Sequence, residues 1–504
     1  MPAVVRAGLR PAPTKTLSLY TPQSLASMLF LALGLLLPTR LLASDETLKK
    51  SVVKITTSTQ NVDFYEPWKP GSQVKLQGCG CVIAGNRILT TAHLINKGVY
   101  IEVEKFGETR RYVAKIAQTA FDRDLAVLTV EDDEFFKDTK PVEFGLLPFS
   151  GDKLLVFGSD DLSIKEDSVS ALSMVWSNEG DRSVPAILTN STIDSKNNGC
   201  PVFSNGKFVG IPFECTGKPE KSGSLIPVNV IQKFLDDIKV EKTYKSFPDL
   251  GVYTQDLENS ALRSYLKVPS KQTGVIVTKV LYGGSADGIL KENDVLTAID
   301  GHAIDNEGYI ILRKSDRIDG DYLTSFHSLG DIMDLDILRD GQPLKIKLPL
   351  KPLVRLVPYR ADNRHPTYFI LAGLVFTPLT VNYYQTGKWD SYKPKLQEIY
   401  YHGLPSEDRK QVVLISHVLP NELNKGYDKQ TNLVVQKVNG HPIKDMKDLV
   451  EAFDHPQGKY HVIDIDEFAW FGSQIIFDAE KAKDATQEIM ETFKILSDRS
   501  QDLK

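Results

Sequence analysis

Apolar and polar residues alternate in short bursts through residues 51–240. Ser51-Val-Val-Lys-Ile-Thr-Thr57, Cys81-Val-Ile83, Val99-Tyr-Ile-Glu-Val103 and Leu125-Ala-Val-Leu-Thr-Val130 are rich in β-branched residues and bounded by Gly, Asn, Asp or Pro. Alternate positions of a strand face opposite sides, and branched side chains suit a pleated surface, so each burst predicts a strand. Phe203-Ser-Asn-Gly-Lys-Phe208 sets an Asn-Gly pair between apolar flanks, which predicts a two-residue hairpin. Many short strands in succession predict a sandwich or a barrel. The period then changes. Ile231, Phe234, Leu235 and Ile238 recur at helical spacing after Pro227, and the charged residues 239–245 read as a linker.

Two later regions share a pattern. Leu250-Gly251-Val252 is followed by Gly288-Ile-Leu-Lys-Glu-Asn-Asp-Val-Leu-Thr-Ala-Ile-Asp-Gly-His-Ala-Ile304. Ala372-Gly373-Leu374-Val375 is followed by Asn432-Leu-Val-Val-Gln-Lys-Val-Asn-Gly-His-Pro-Ile443. Each has a Gly-apolar loop, then a strand ending in an Asp-Gly or Asn-Gly turn and His-x-Ile, a weak internal repeat. Residues 351–367 contain Pro352, Pro358 and Pro366 and read as an ordered connector. In residues 479–496, Ala482, Ile489, Phe493 and Leu496 fall near one helical face and predict a C-terminal helix.

A chain of 504 residues exceeds what one core supports and implies two to four domains. The net charge of −5 argues against general nucleic-acid binding, which needs a cationic face. The N-terminus speaks of destination. No acidic residue precedes Asp45, Arg6, Arg10 and Lys15 supply positive charge, and the apolar run Met28-Leu-Phe-Leu-Ala-Leu-Gly-Leu-Leu-Leu37 leads to Leu42-Ala43-Ser44. That reads as a signal peptide over residues 1–44, with a membrane anchor or an organellar transit peptide as the competing readings and Met1 or Met28 as the start. The run is too short for a stable span, so the mature chain is expected to be exported, periplasmic or secreted, with no membrane span.

Thr90-Thr91-Ala92-His93 follows an apolar strand, and Asp122-Arg-Asp124-Leu-Ala-Val-Leu128 comes 31 positions after it. A triad hydrolase needs an imidazole as general base and a buried carboxylate to fix its tautomer. A strand-end histidine alone is more often structural. The order Thr-Ala-His, Asp-Leu-Ala, Asn197-x-Gly199-x-Pro201-Val-Phe, Val209-Gly210-Ile211 resembles the Deg/HtrA family of trypsin-like serine proteases. The resemblance implies a mainly β chain, with a chymotrypsin-like double β-barrel, His93 as base and Asp124 as its orienting partner.

The third position departs from the family. Where the family has Gly-Asn-Ser-Gly-Gly-Pro, this chain has Lys196-Asn197-Asn198-Gly199-Cys200-Pro201, with Asn198 at the serine position. An amide nitrogen is delocalised into its carbonyl and has no lone pair suited to attack. Lys196 stands where a glycine contributes its N–H to the oxyanion hole; Lys196 and Asn197 form that region, and the N–H itself is retained. Losing a nucleophile alone costs on the order of a million-fold in turnover. Ser195 and Cys200 are the alternative nucleophiles, each requiring the turn to be rebuilt in another register. For Cys200 the competing reading is a packed residue or half of a disulfide. Export permits oxidation of Cys79, Cys81, Cys200 and Cys215, yet Cys79 and Cys81 share one face of a strand, where small buried residues are commoner. No histidine or Cys-x-x-Cys pair supports a metal, and no cofactor is expected.

Tyr65-Glu-Pro-Trp68, Phe247-Pro-Asp-Leu-Gly-Val252, Leu356-Val-Pro-Tyr359, Ala372-Gly-Leu-Val-Phe-Thr-Pro-Leu379 and Asn421-Glu-Leu-Asn-Lys-Gly-Tyr427 are similar to the plant-type Deg subgroup. The implied layout is a protease-like domain (residues 45–240), a first PDZ module (246–350), a linker (351–367), a second PDZ-like module (368–478) and a helical tail (479–504). PDZ modules add a peptide to an open strand edge and hold its terminal carboxylate on backbone N–H groups. Leu250, Gly251 and Val252, with Gly373, Leu374 and Val375, are the expected peptide-binding residues, unless a groove is filled internally. The leading expectation is a pseudoprotease that binds unfolded or exported polypeptides and peptide C-termini, in a chaperone-like or scaffolding role in protein quality control. The alternatives are an active endopeptidase using Ser195 or Cys200 with His93 and Asp124, and an architectural subunit of an active paralogue. A trimer-based homo-oligomer is implied by the resemblance alone.

Overall fold

The computed structural model describes residues 47–158, 163–241, 243–313, 316–358, 366–388, 393–466 and 474–504. The expected signal peptide and Tyr359 of the connector lie outside the described residues. Six antiparallel strands, β1 (Val52–Val62), β2 (Pro70–Ile83), β3 (Arg87–Thr90), β4 (Gly98–Lys105), β5 (Arg111–Ala120) and β6 (Leu125–Val130), close into a barrel in the order β1-β2-β3-β6-β5-β4. Their alternating apolar positions point inward, so Val53, Ile55, Val82, Ile88, Val103 and Leu128 fill the interior.

A second barrel follows. It consists of β7 (Lys153–Phe157), β8 (Ile164–Ser177), β9 (Arg182–Thr189), β10 (Val202–Ser204), β11 (Lys207–Pro212) and β13 (Ser224–Pro227), with β12 (Cys215–Thr216) added outside β8. The path β8-β7-β10-β11-β13-β9 returns on itself because β8 also pairs with β9. The expected hairpin joins β10 to β11: Asn205 and Gly206 adopt φ of 51° and 72°, the left-handed pair that matches strand twist. One apolar core runs across the seam between the barrels, from Cys81, Leu89 and Leu125 to Phe157, Phe203 and Ile211. Helix α2 (Val228–Glu241) seals it with Ile231, Phe234, Leu235 and Ile238; a single-turn helix, α1 (Ala92–Ile95), precedes it in the chain.

Residues 239–241 of the expected linker continue the helix, and the segment from Tyr244 to Pro248 is docked. Tyr244 accepts a hydrogen bond from Arg123 Nε (2.7 Å). Asp122 Oδ2 accepts from Ser246 Oγ (2.6 Å) and Phe247 N (3.0 Å). The Arg182 guanidinium donates to the carbonyls of Phe247 and Pro248 and lies 3.5 Å over the Phe247 ring.

The first module is an antiparallel sheet in the order Val252–Gln255, Val275–Val280, Val295–Ile299, Ile332–Arg339, Gln342–Pro349, which leaves Val252–Gln255 as an edge. The second runs Phe369–Leu371, Leu374–Pro378, Val413–Val418, Leu433–Val438, Tyr460–Ile465, Gln474–Asp478. The repeat seen in the sequence is structural: Asp300-Gly301 and Asn439-Gly440 both turn with positive φ into the short strands that carry His302 and His441. Helix Ala479–Phe493 packs its Ala482 into the second module's core, and residues beyond it lie against the outer strand, with Ile370 N donating to Asp498 O (2.7 Å) and Ser500 N to Tyr368 O (3.0 Å).

Candidate active site between the barrels

His93 sits in α1, directly after β3, and Asp124 caps a short 3-10 turn, Phe121–Arg123, directly before β6. Pairing of β3 with β6 brings the two together. Asp124 is 1 % exposed; its Oδ1 accepts from the His93 backbone N–H (2.8 Å) and its Oδ2 lies 2.7 Å from His93 Nδ1. The carboxylate therefore fixes both the ring and the loop that carries it, as a base–orienter pair requires.

Asn198 comes from the second barrel, on the turn between β9 and β10. Its Nδ2 is 3.1 Å from His93 Nε2 and 3.4 Å from Glu214 Oε1, so the carboxamide faces the ring nitrogen opposite the one that Asp124 holds. Burial lowers the pKa of His93, but Asp124, through charge and hydrogen bond, and then Glu179 and Glu214 push it up to about 9. A protonated ring carries a proton on Nε2 and needs an acceptor there. The structure sets the amide Nδ2 there, with Glu214 Oε1 accepting from the same nitrogen.

The backbone around Asn198 is turned inward. Ser195–Asn197 form a 3-10 turn whose cap, Asp194, accepts from Lys196 N through Oδ1 (2.9 Å). Asn197 N donates to Asp194 O (2.9 Å), Asn198 N to Ser195 O (3.0 Å) and Cys200 N to Asn197 O (3.0 Å). The Lys196 N–H, expected to remain available, is thus spent inside the turn, and so is that of Asn198. An oxyanion hole needs free donors aimed at the developing charge. Gly199 has φ of +78°, and a Cβ there would meet Cys79 O at 2.4 Å, so the turn is wedged against β2.

The alternative nucleophiles are not poised. Cys200 is joined to Cys79 in a disulfide, which corrects its reading as a displaced nucleophile and that of Cys79 as a simple packed residue. Ser195 opens the turn with its side chain exposed, while His93 Nε2 faces Asn198. Cys81 and Cys215 are buried free thiols whose pKa values burial raises, which keeps them protonated. Among the described residues no group of three or more His, Cys, Asp or Glu is placed to hold a metal ion.

The two Gly-apolar loops differ. In the first, Val252–Gln255 keeps an open edge, but Gly251 N–H donates to Asp249 Oδ1 (2.8 Å), so the chain's own carboxylate occupies that donor. In the second, Leu374–Pro378 is wholly buried, with Phe369–Leu371 on one side and Val413–Val418 on the other. Gly373, Leu374 and Val375 offer no edge to a peptide, which overturns their expected role. The sequence had no local signal for either outcome, since both arise from partners distant in the chain or from a side chain's direction.

Residues 78–211 match the family model of the trypsin-like peptidase domain, and residues 357–502 that of the PDZ domain. The chain is 33% identical over 466 residues to Protease Do-like 2, chloroplastic, of Arabidopsis thaliana, covering 91% of this chain and 76% of that protein. It is 30% identical over 451 residues to Protease Do-like 4, mitochondrial, of the same plant, covering 89% and 84%. Among solved structures, the HtrA-type protease AlgW with tripeptide is 20% identical, with a TM-score of 0.47 over 62% of this chain and 97% of that one. With a third of its residues shared along nine-tenths of its length, and with the double barrel and PDZ domain that such kinship requires, the chain belongs to the Deg/HtrA family of Do-like proteases.

Proposed function

We propose that this Deg/HtrA homologue is a pseudoprotease that binds unfolded or exported polypeptides in protein quality control. The observation that carries the reading is the Asn198 carboxamide 3.1 Å from His93 Nε2, where a hydroxyl would have to be deprotonated. Two further features support it: the inward-turned N–H groups of Lys196 and Asn198, and the Cys79–Cys200 disulfide that removes the nearest thiol. An open strand edge at Val252–Gln255 supports binding by β-augmentation. Family kinship favours a trimer-based homo-oligomer.

The acid-free, basic leader favours export, to a periplasmic or extracellular space; among the described residues no helix is long and apolar enough to cross a membrane. Two relatives are named for the chloroplast and the mitochondrion, so fractionation of a fusion carrying residues 1–44 separates export from organellar delivery.

Casein digestion by the purified chain is the decisive assay. No cleavage above the level of a His93→Ala control is expected. Cleavage that disappears in that control overturns the reading.

A further inference from the structure

A cavity of about 590 Å³ lies where the second barrel, the first module, the connector and the second module meet. Val252 and Tyr253 of the open edge line it, Trp176 faces it from β8, and Tyr400 and Tyr401 from the second module. Three carboxylates and two guanidinium groups also line it. Asp181 is paired with Arg355, and Asp249 with Arg182 at 3.5 Å. Asp321 is the carboxylate left over. The residue is exposed and lines the cavity; its backbone N–H and carbonyl bond to Asp319 and Thr324, while its side chain has no hydrogen-bond or ion-pair partner among the described residues.

We propose that this cavity receives a lysine or arginine side chain of a bound polypeptide, paired with Asp321, while the polypeptide backbone runs along Val252–Gln255 and needs no terminal carboxylate. The inference rests on the polypeptide-binding reading and names the chemistry of the ligand. Both arginines in the cavity already have acids, so an incoming anion finds no unpaired cation, whereas an incoming cation finds Asp321. The N–H of Gly251, a donor for a peptide's terminal carboxylate, is held by Asp249. Arg355 lies over the Trp176 ring and Tyr384 stacks on Tyr400, while the exposed rings of Tyr253 and Tyr401 suit a cation and the methylene stem that carries it. The surroundings of Asp321 agree: enclosure by protein, then Asp319 and Asp249, against Arg182, push its pKa up to about 7, as expected of an acid crowded by two others.

The test titrates fluorescein-labelled decapeptides into the full chain by anisotropy at pH 8. One peptide carries a central Lys-Arg pair and the other Glu-Glu, each with a free and an amidated C-terminus. The basic peptide is expected to bind at least about tenfold tighter than the acidic one. Amidation is expected to change neither affinity. Asp321→Asn should erase the preference, Asp321→Glu should keep it, and lowering the pH to 6 should weaken it as Asp321 takes up a proton. Loss of binding on amidation, or an unchanged preference in Asp321→Asn, overturns the inference and leaves polypeptide binding standing. Absence of binding by all four peptides removes both.

Discussion

Arg123 donates through Nε to the hydroxyl of Tyr244, 2.7 Å away, and through Nη2 to the carbonyl of Ser325, 3.0 Å away. One buried cation thus ties the loop of Asp124, the segment leaving the first domain and the first module together. Tyr244→Phe removes the bond from Arg123 and the hydroxyl's own bond to Asp122 Oδ2 (3.3 Å), and is expected to cost about 1–3 kcal/mol of stability in urea titrations. Arg123→Ala is expected to cost more, about 3–5 kcal/mol, since it strips both acceptors and takes the cation from Asp237, 3.9 Å away. If both variants unfold like the parent, the clasp is dispensable.

His93 should titrate far from an ordinary histidine. Its pKa is raised from 6.5 to about 9 in the folded chain. The stability this contributes is fully present below the unfolded pKa of about 6.5 and is lost as pH rises through 9, a total of about 3 kcal/mol. Proton NMR of the ring gives the pKa directly. Asp124→Asn should bring it down and flatten the decline of stability between pH 6.5 and 9.

Restoring a hydroxyl is expected to be insufficient. Asn198→Ser gives His93 something to deprotonate, but both backbone donors remain inside the 3-10 turn. An oxyanion donor is worth roughly 100- to 1,000-fold in turnover. Casein cleavage by Asn198→Ser should therefore fall short of the Asp194→Ala/Asn198→Ser double variant, which frees the Lys196 N–H, by about that factor. Equal rates would mean the turn opens on its own.

The Cys79–Cys200 disulfide closes a separation of 121 residues. Chain-entropy arguments give such a link about 2–5 kcal/mol. Cys200→Ser, or reductant added to the parent, should lower the melting temperature in scanning calorimetry. Thiol titration in denaturant should find two free groups before reduction and four after it.

What the sequence revealed was local chemistry. Asn205-Gly206, Asp300-Gly301 and Asn439-Gly440 dictate their turns through residues that tolerate positive φ, and the helical spacing of Ile231, Phe234 and Ile238 dictates a buried face. His93, Asp124 and Asn198 stood out because their flanking strings are short and ordered. The pairing of Cys79 with Cys200, the clasp on Tyr244 and the covered edge of Leu374–Pro378 join residues far apart in the chain, which periodicity does not report. The fate of the Gly251 and Lys196 N–H groups depended on where the neighbouring Asp249 and Asp194 aim their carboxylates, and composition is silent on rotamers.

Residues near 498–500 lie against the outer strand of the second module. During synthesis, the segment Phe369–Leu371 therefore stays without its neighbour for more than a hundred further residues. A nascent chain at that stage exposes an apolar ribbon edge that other strands can join. Ribosome-stalled or truncated products ending before residue 498 should be the forms of this protein that holdase chaperones retain.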